Sequence, residues 1–386
     1  MDEPNLSDSS NSTTSRRRER IFRVIMFSGV LLFMGAGLLV AEYAARYRER
    51  HRDSPPDYFP SMYYPHRRLR YGLVPNLDYY GWFRINSMGF RGREVSASKP
   101  PGTFRIVCLG GSTTFDTGSV GSAPPWPEVL EAELRRRLQR ESIEVLNLGI
   151  PGATSLDSLI DLQMRALALQ PDLVLVYQAH NDLIYSVPPP YREDTDLFPL
   201  EDRPRSSLVR WLSNHSLLYA KSEERVFSAL GQVTGAVTGL FAGAREPGED
   251  RDIALERGLA TFRSNMLSLA AIARVNKIPA ALVEVTVPFP SAASAGKKCE
   301  KCQALSAAYG NIPVDTLRAL FSRYDDALEE VAAMGPGVYH VGTADFVPAE
   351  DLYYHDPVHF GPEGSLKLGT KLGEALASMI TELARQ

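Results

Sequence analysis

The stretch Phe104-Arg105-Ile106-Val107-Cys108-Leu109-Gly110-Gly111-Ser112-Thr113 decides the fold. Its first six residues are a short run rich in apolar β-formers, and two glycines stop it. Similar runs return at Glu144–Leu148 and at Leu173–Tyr177. Helical periodicity fills the gaps. Val129, Leu130, Leu134 and Leu138 share one face of Pro127–Arg140, and Ser155–Leu169 follows Thr154 or Ser155 as N-cap. Apolar strands without alternation, separated by helices, indicate a parallel sheet covered on both faces. The expected class is therefore α/β, in three α/β/α layers.

Further along, the alternation breaks. Residues 183–252 open with Pro188-Pro189-Pro190 and hold two candidate helices, 207–221 and 224–242. An insertion of that length reads as a helical lid or cap. A helix around Leu255–Asn276 leads back to the sheet at Ala280–Val287. A helix over Val314–Met334, a last strand at Val338–Val341 and a closing helix within Gly361–Arg385 complete about five strands.

Toward the amino terminus the chain changes character. Residues 1–20 are polar and Ser-rich and read as a disordered tail. Val24–Ala41 is 18 residues without a charge, so residues 21–45 read as one transmembrane anchor. No clean small-x-small cleavage site follows it. Arginines 16, 17, 18, 20 and 23 precede the span, and 46, 48, 50 and 52 follow it. That slight excess favours a cytoplasmic amino terminus, with the main domain outside the cell membrane. Residues 46–102 form a stem, in which Tyr79–Ile85 and the turn Asn86-Ser87-Met88-Gly89 read as a small hairpin. Residues 103–386 are the main domain.

Composition removes several alternatives. The 386 residues carry a net charge of -4, and no basic excess follows residue 105, so a nucleic-acid partner is not expected. Three cysteines cannot build a disulfide scaffold. Cys299-Glu300-Lys301-Cys302 lacks a second pair to complete a zinc site and reads as a local disulfide or as inert; Cys108 reads as a buried core thiol.

In open parallel sheets ligands bind beyond the carboxyl ends of the strands. There the sequence places Gly110-Gly111-Ser112-Thr113, then Asn147-Leu148-Gly149-Ile150-Pro151-Gly152, then Ala179-His180-Asn181-Asp182, and later Asp356-Pro357-Val358-His359. Taken singly, these are a turn, a loop, a helix cap and a surface pair. In this order and at these places they resemble the SGNH (GDSL-type) hydrolase family, named for its Ser, Gly, Asn and His. The resemblance covers residues 103–386 apart from the insertions, and it implies a flavodoxin-like sheet. It implies Ser112 as nucleophile, Gly149 and Asn181 in the oxyanion hole, and Asp356 and His359 completing the triad. Gly111 stands where the family has Asp, and Ala179 stands in place of a Gly. The segment Ile85–Glu94 also looks like one found in membrane-anchored bacterial members, and its expected role is structural, tying the stem to the main domain.

The chemistry agrees with those residue types. A serine hydroxyl needs a base to take its proton. His359 can serve, with Asp356 three residues earlier holding the other ring nitrogen. The Ser112 and Gly149 N–H groups and the Asn181 amide can meet the tetrahedral oxyanion. His180 reads either as a substrate contact or as a structural hydrogen bond, His355 as loop decoration and Asp182 as a structural carboxylate. The expected activity is two-step acyl transfer from an acyl ester substrate, with no cofactor and no metal. An acylated envelope glycan and a lipid ester are both open as substrate. So are an O-acyltransferase and a non-catalytic scaffold subunit of the same fold. Oligomeric state is not legible.

Overall fold

The computed structural model describes residues 8–51, 62–66, 68–79, 81–121, 123–187, 212, 216–219, 221–222, 251–289 and 300–383. Two compact units divide the chain. One comprises Met1–Ser54 with Arg205–Thr234, and the other Pro55–Pro204 with Gly235–Gln386.

The first unit is built on helix α1, Asp8–Arg50. It starts well before the expected anchor, because a helix nucleated on the apolar run propagates through Ser- and Arg-rich flanks at little cost per residue. Its Arg18–Arg50 portion has a mean hydropathy of 2.4 in an 18-residue window with no burial, so it is long and apolar enough to cross a membrane. Glu42 accepts hydrogen bonds from Ser216 Oγ at 2.8 Å, Leu217 N at 2.9 Å and Leu218 N at 3.0 Å. Glu49 pairs with Lys221. Part of the sequence insertion is therefore tied to α1. The expected helix 224–242, and most of 207–221, lie outside the described residues.

The second unit opens with an antiparallel hairpin, β1 (Tyr63–His66) and β2 (Arg70–Leu73). Regular pairing thus falls upstream of the expected Tyr79–Ile85, where only the bridges Asp78–Arg84 and Ile85–Arg91 form. Nor does the boundary fall at residue 103. Met62, Tyr71, Leu73, Tyr79, Phe83 and Ile85 share a core with Phe115, Ile150 and Ala153, so the stem is packed into the main domain.

The rest alternates as expected: β3 (Phe104–Gly110), α2 (Ser112–Phe115), α3 (Trp126–Leu138), β4 (Ile143–Asn147), α4 (Ser155–Asp161), β5 (Leu173–Tyr177), α5 (His180–Ser186), α6 (Arg251–Val275), β6 (Ala280–Val283), α7 (Glu300–Ala308), α8 (Val314–Ala333), β7 (Val338–Val341) and α9 (Pro362–Leu383). The sheet is parallel throughout in the order β4-β3-β5-β6-β7. Numbered within the sheet alone, that is the flavodoxin-like order 2-1-3-4-5, whose switch point lies between β3 and β5. All seven residues of β3 are buried. On one face α9 packs on α3, with Leu368, Leu372, Leu376 and Ile380 spaced four apart and almost fully enclosed. The other face carries α6 against α4, α5 and α8.

Two expected elements differ in extent. The helix 155–169 is α-helical only to Asp161, then widens to a π-turn over Leu162–Ala166 and tightens to a 3-10 turn over Leu167–Leu169. The strand from Ala280 stops at Val283, because the Thr286 N–H turns to the buried Tyr177 hydroxyl at 2.9 Å. Cys108 is a free, buried thiol, and Cys302 is disulfide-bonded; Cys299 lies outside the described residues.

Arg105 is the one charge buried inside β3. Its guanidinium pairs with Glu144 at 2.8 Å and donates to the carbonyls of Leu169 at 2.9 Å and Ser96 at 3.0 Å. Removing one partner of such a pair leaves the other buried and uncompensated. Arg105→Ala should lower unfolding free energy by ~3–5 kcal/mol in urea titrations of the detergent-solubilised chain. A loss within ~0.5 kcal/mol would place the residue among neutral surface changes instead.

Candidate active site

The strand β3 ends on Gly110 at φ +157, a conformation open to glycine. A methyl group there would stand 2.3 Å from the Tyr177 carbonyl oxygen and 2.1 Å from Thr114 Oγ1. Thr114 Oγ1 itself donates to Tyr177 O at 2.8 Å. The chain can therefore turn into α2 directly over the end of β5, and Ser112 is the first residue of that helix. Trp126 Nε1 donates to Thr113 O at 2.8 Å, and its backbone N–H donates to Asp116 Oδ2 at 2.9 Å. Asp116 closes α2 in the left-handed region at φ +70. Neither Asp116 nor Trp126 stood out in the sequence, since an Asp-Thr-Gly after a short helix reads as an ordinary turn.

From the far end of the chain comes the loop before α9. His359 Nε2 lies 2.8 Å from Ser112 Oγ, and His359 Nδ1 lies 2.6 Å from Asp356 Oδ2. Asp356 Oδ1 accepts the backbone N–H groups of Val358 at 2.7 Å and His359 at 2.8 Å, so the carboxylate shapes the loop that carries its own partner. The His355 N–H closes the loop onto His359 O at 2.9 Å, while the His355 residue as a whole is exposed. Burial works against charge on Asp356, but the bonds from His359 and the two amides outweigh it and hold the carboxyl well below its usual range.

The second and third loops meet beside Ser112. Asn181 Nδ2 donates to Ala153 O at 2.8 Å, leaving its second amide hydrogen. A methyl group on Gly111 would stand 2.5 Å from that nitrogen. Gly149 is placed differently from the sequence expectation. Its N–H donates to Asn147 Oδ1 at 3.0 Å, and a methyl group there would stand 2.2 Å from Phe115 N. Gly149 thus lets the loop pack against the backbone of α2. The glycine adjoining Ala153, and so Asn181, is Gly152 at φ +86. Its N–H has no hydrogen-bond partner among the described residues. Two glycines three positions apart were equivalent in the sequence; only the close approach separates them.

Asp182 accepts Ser155 N at 3.0 Å, Ser155 Oγ at 2.5 Å and Gln178 Nε2 at 2.8 Å, locking α5 to the start of α4. Burial pushes its carboxyl up to about 6 despite these donors. His180 pairs through Nδ1 with the Tyr309 hydroxyl at 2.7 Å and packs edge-on to Phe321. Burial, and then the neighbouring His359, push its imidazole down to about 3, so it is neutral at physiological pH. Beyond β6 and β7 lies a cavity of about 1040 Å³ whose walls include Glu284, Phe289, Phe321, Asp325, Glu350 and Asp351. Its wall runs toward the Asp356–His359 loop, since Asp351 starts the turn into Tyr354, whose carbonyl accepts Lys301 Nζ at 3.4 Å.

Residues 108–366 match the model of the GDSL-like lipase/acylhydrolase family. The chain belongs to that family and is an acylhydrolase of the esterase class. No curated protein matches it. Among solved structures it is similar to a lipase/acylhydrolase from Enterococcus faecalis, at 16% identity over 72% of this chain and 97% of that one, with a TM-score of 0.38. It is similar to a GDSL-like lipase from Bacteroides thetaiotaomicron, at 15% identity over 71% and 88%, TM-score 0.37. It is also similar to an acetylxylan esterase from Geobacillus stearothermophilus, at 13% identity over 74% and 96%, TM-score 0.39.

The Asp356 carboxyl sets a stability test. Its folded pKa lies below the ordinary 3.8, so its contribution is full above the unfolded value and is lost as pH falls through the folded one. The gap in urea midpoint between wild type and Asp356→Asn should be widest above about pH 5 and narrow steadily as pH falls below the ordinary 3.8. Because the other buried carboxylates are common to both chains, a gap that stays constant with pH would mean the pair adds nothing to stability.

Proposed function

We propose that this chain is a membrane-anchored serine esterase in which Ser112 attacks an ester carbonyl, His359 takes its proton and Asp356 stabilises the imidazolium. The observation that carries this reading is the unbroken chain Ser112 Oγ, His359 Nε2, His359 Nδ1, Asp356 Oδ2, with contacts of 2.8 and 2.6 Å. Attack makes a tetrahedral oxyanion. The Ser112 N–H, the Gly152 N–H and the second Asn181 hydrogen receive it, with Gly152 in the place first expected of Gly149. Collapse expels the alcohol, which takes its proton from His359. Water then attacks the Ser112 ester, and the same histidine serves as base. Asn181→Ala should lower kcat by ~10²–10³ with a smaller change in KM, and Ser112→Ala should remove p-nitrophenyl acetate hydrolysis. Equal turnover by wild type and Ser112→Ala would end the serine mechanism.

Helix α1 is assigned as a single-pass anchor with the catalytic unit outside the cytoplasm. Its exposed apolar length and the arginine excess ahead of it support this, as does the disulfide at Cys302, a bond that persists in oxidising compartments. The substrate class that fits best is an acylated envelope glycan. Glu350 and Asp351, exposed carboxylates on the cavity wall nearest the Asp356 loop in sequence, suit a polyhydroxylated leaving group whose hydroxyls can donate to them. Acetylated oligosaccharides should therefore show kcat/KM at least ~10-fold above palmitoyl esters of glycerol. The reverse preference would assign the site to lipid.

A further inference from the structure

We infer that Arg91, which the stem contributes from outside the family-matched region, is a positioning residue for the nucleophile; this rests on Ser112 being that nucleophile. Arg91 is only 6% exposed, and its backbone bridges to Asn147 at the open edge of β4. Its guanidinium reaches into the turn after Ser112. Nη1 donates to Phe115 O at 2.7 Å and to Asp116 O at 2.5 Å, and Nη2 donates to Ser119 O. The plane of the group lies over the Phe115 ring, 4.8 Å from its centroid.

Two of those carbonyls close a helix of one turn, where Phe115 O also accepts Asn147 Nδ2 at 3.3 Å and Asp116 O the Ser119 N–H at 3.1 Å, so the guanidinium adds the charged donor to both. The geometry reaches the nucleophile through one further bond. The Asp116 N–H donates to the carbonyl oxygen of Ser112 itself at 2.7 Å, and the Thr117 N–H to the same atom at 3.2 Å. Asp116 holds its left-handed conformation while gripped at both its carbonyl and its amide. A fork of fixed planar geometry can hold three carbonyls at once; an ammonium on a flexible stem cannot hold the same set. The Arg91 cation also faces the buried Asp116 carboxylate, which burial pushes up to about 6 and which the cation draws back down. Arg91 thus sets where α2 ends and, with it, the direction of Ser112 Oγ toward His359.

The experiment uses the full chain in detergent. It measures kcat and KM on p-nitrophenyl acetate, the rate of Ser112 labelling by a fluorophosphonate probe, and Tm. The variants are Arg91→Met, Arg91→Lys and Phe83→Ala, the last removing a ring that lies 5.7 Å from the Arg91 guanidinium carbon and meets Phe115 edge-on at 5.2 Å, while leaving all three carbonyl bonds in place. The expected result is kcat and labelling rate ~10²-fold lower in Arg91→Met and ~10-fold lower in Arg91→Lys, at nearly constant KM. Phe83→Ala should lower Tm while kcat stays within ~3-fold. If Arg91→Met does not fold, Arg91→Lys decides alone. Labelling of Arg91→Lys at the wild-type rate, or losses in both Arg91 variants that merely track Tm as in Phe83→Ala, would overturn the assignment. A wild-type chain that the probe does not label would sink the nucleophile reading itself, a different outcome from normal labelling that Arg91 does not influence.

Discussion

At the end of β3 the chain reverses so close to the carbonyl ending β5 that a methyl group on Gly110 would stand 2.3 Å from its oxygen. Glycine meets that constraint, and much of the site depends on it. Thr114 can then bond the Tyr177 carbonyl, so α2 starts over the switch point of the sheet and Ser112 stands at its head. Gly149 repeats the logic from the neighbouring strand, bringing the second loop against the backbone of the same helix. The Ile150 N–H then bonds Gly110 O at 3.0 Å, which closes the two loops on each other. Two missing methyl groups thus place three loops around one hydroxyl. The parallel sheet supplies the strand ends, but the glycines convert strand ends into a site.

Three carboxylates around that site show how environment divides labour among identical side chains. Asp356 is partly exposed and receives charge-assisted bonds from the histidine it serves, so it stays ionised well into acid. Asp116 and Asp182 are almost fully enclosed, and burial pushes each to about 6. A raised carboxyl contributes stability below its unfolded pKa and loses it as pH rises through the folded one, the opposite sign to Asp356. Both are therefore held at neutral pH against a burial cost, and both bind backbone N–H groups at helix starts, Trp126 and Ser155. The fold accepts that cost where it fixes α3 and α4 relative to Ser112.

The strand ends were legible in the sequence because a fully buried parallel strand leaves an unbroken apolar run. Ser112, Asn181, Asp356 and His359 could be picked from the loops on the carboxyl side of those runs. Gly149 and Gly152 could not be told apart, since glycine carries no side-chain pattern and its meaning lies in the groups that approach it. The hairpin at Tyr63–Leu73 was missed because His66 and Arg70 interrupt its aromatic alternation; the pairing is carried by packing on Phe115 and Ile150, residues far along the chain. Arg91 was hidden for a related reason. The segment Ile85–Glu94 carries three charged residues, and only the three carbonyls that Arg91 meets show which of them ties it to the turn after Ser112.

The boundary of the catalytic unit is set by those carbonyls. The family match begins at residue 108, yet the turn after Ser112 takes hydrogen bonds from residue 91, and the core around Phe115 draws on Tyr71, Tyr79 and Phe83. A helix of four residues has too few internal bonds to define its own end. Its geometry has to be imposed by neighbours, and on one side the neighbour is the stem. A chain cut at residue 103 would keep Ser112, Asn181, Asp356 and His359 and lose the Arg91 bonds to Phe115 O, Asp116 O and Ser119 O. The segment from Met62 to Arg91 is therefore part of the same packed unit as the sheet.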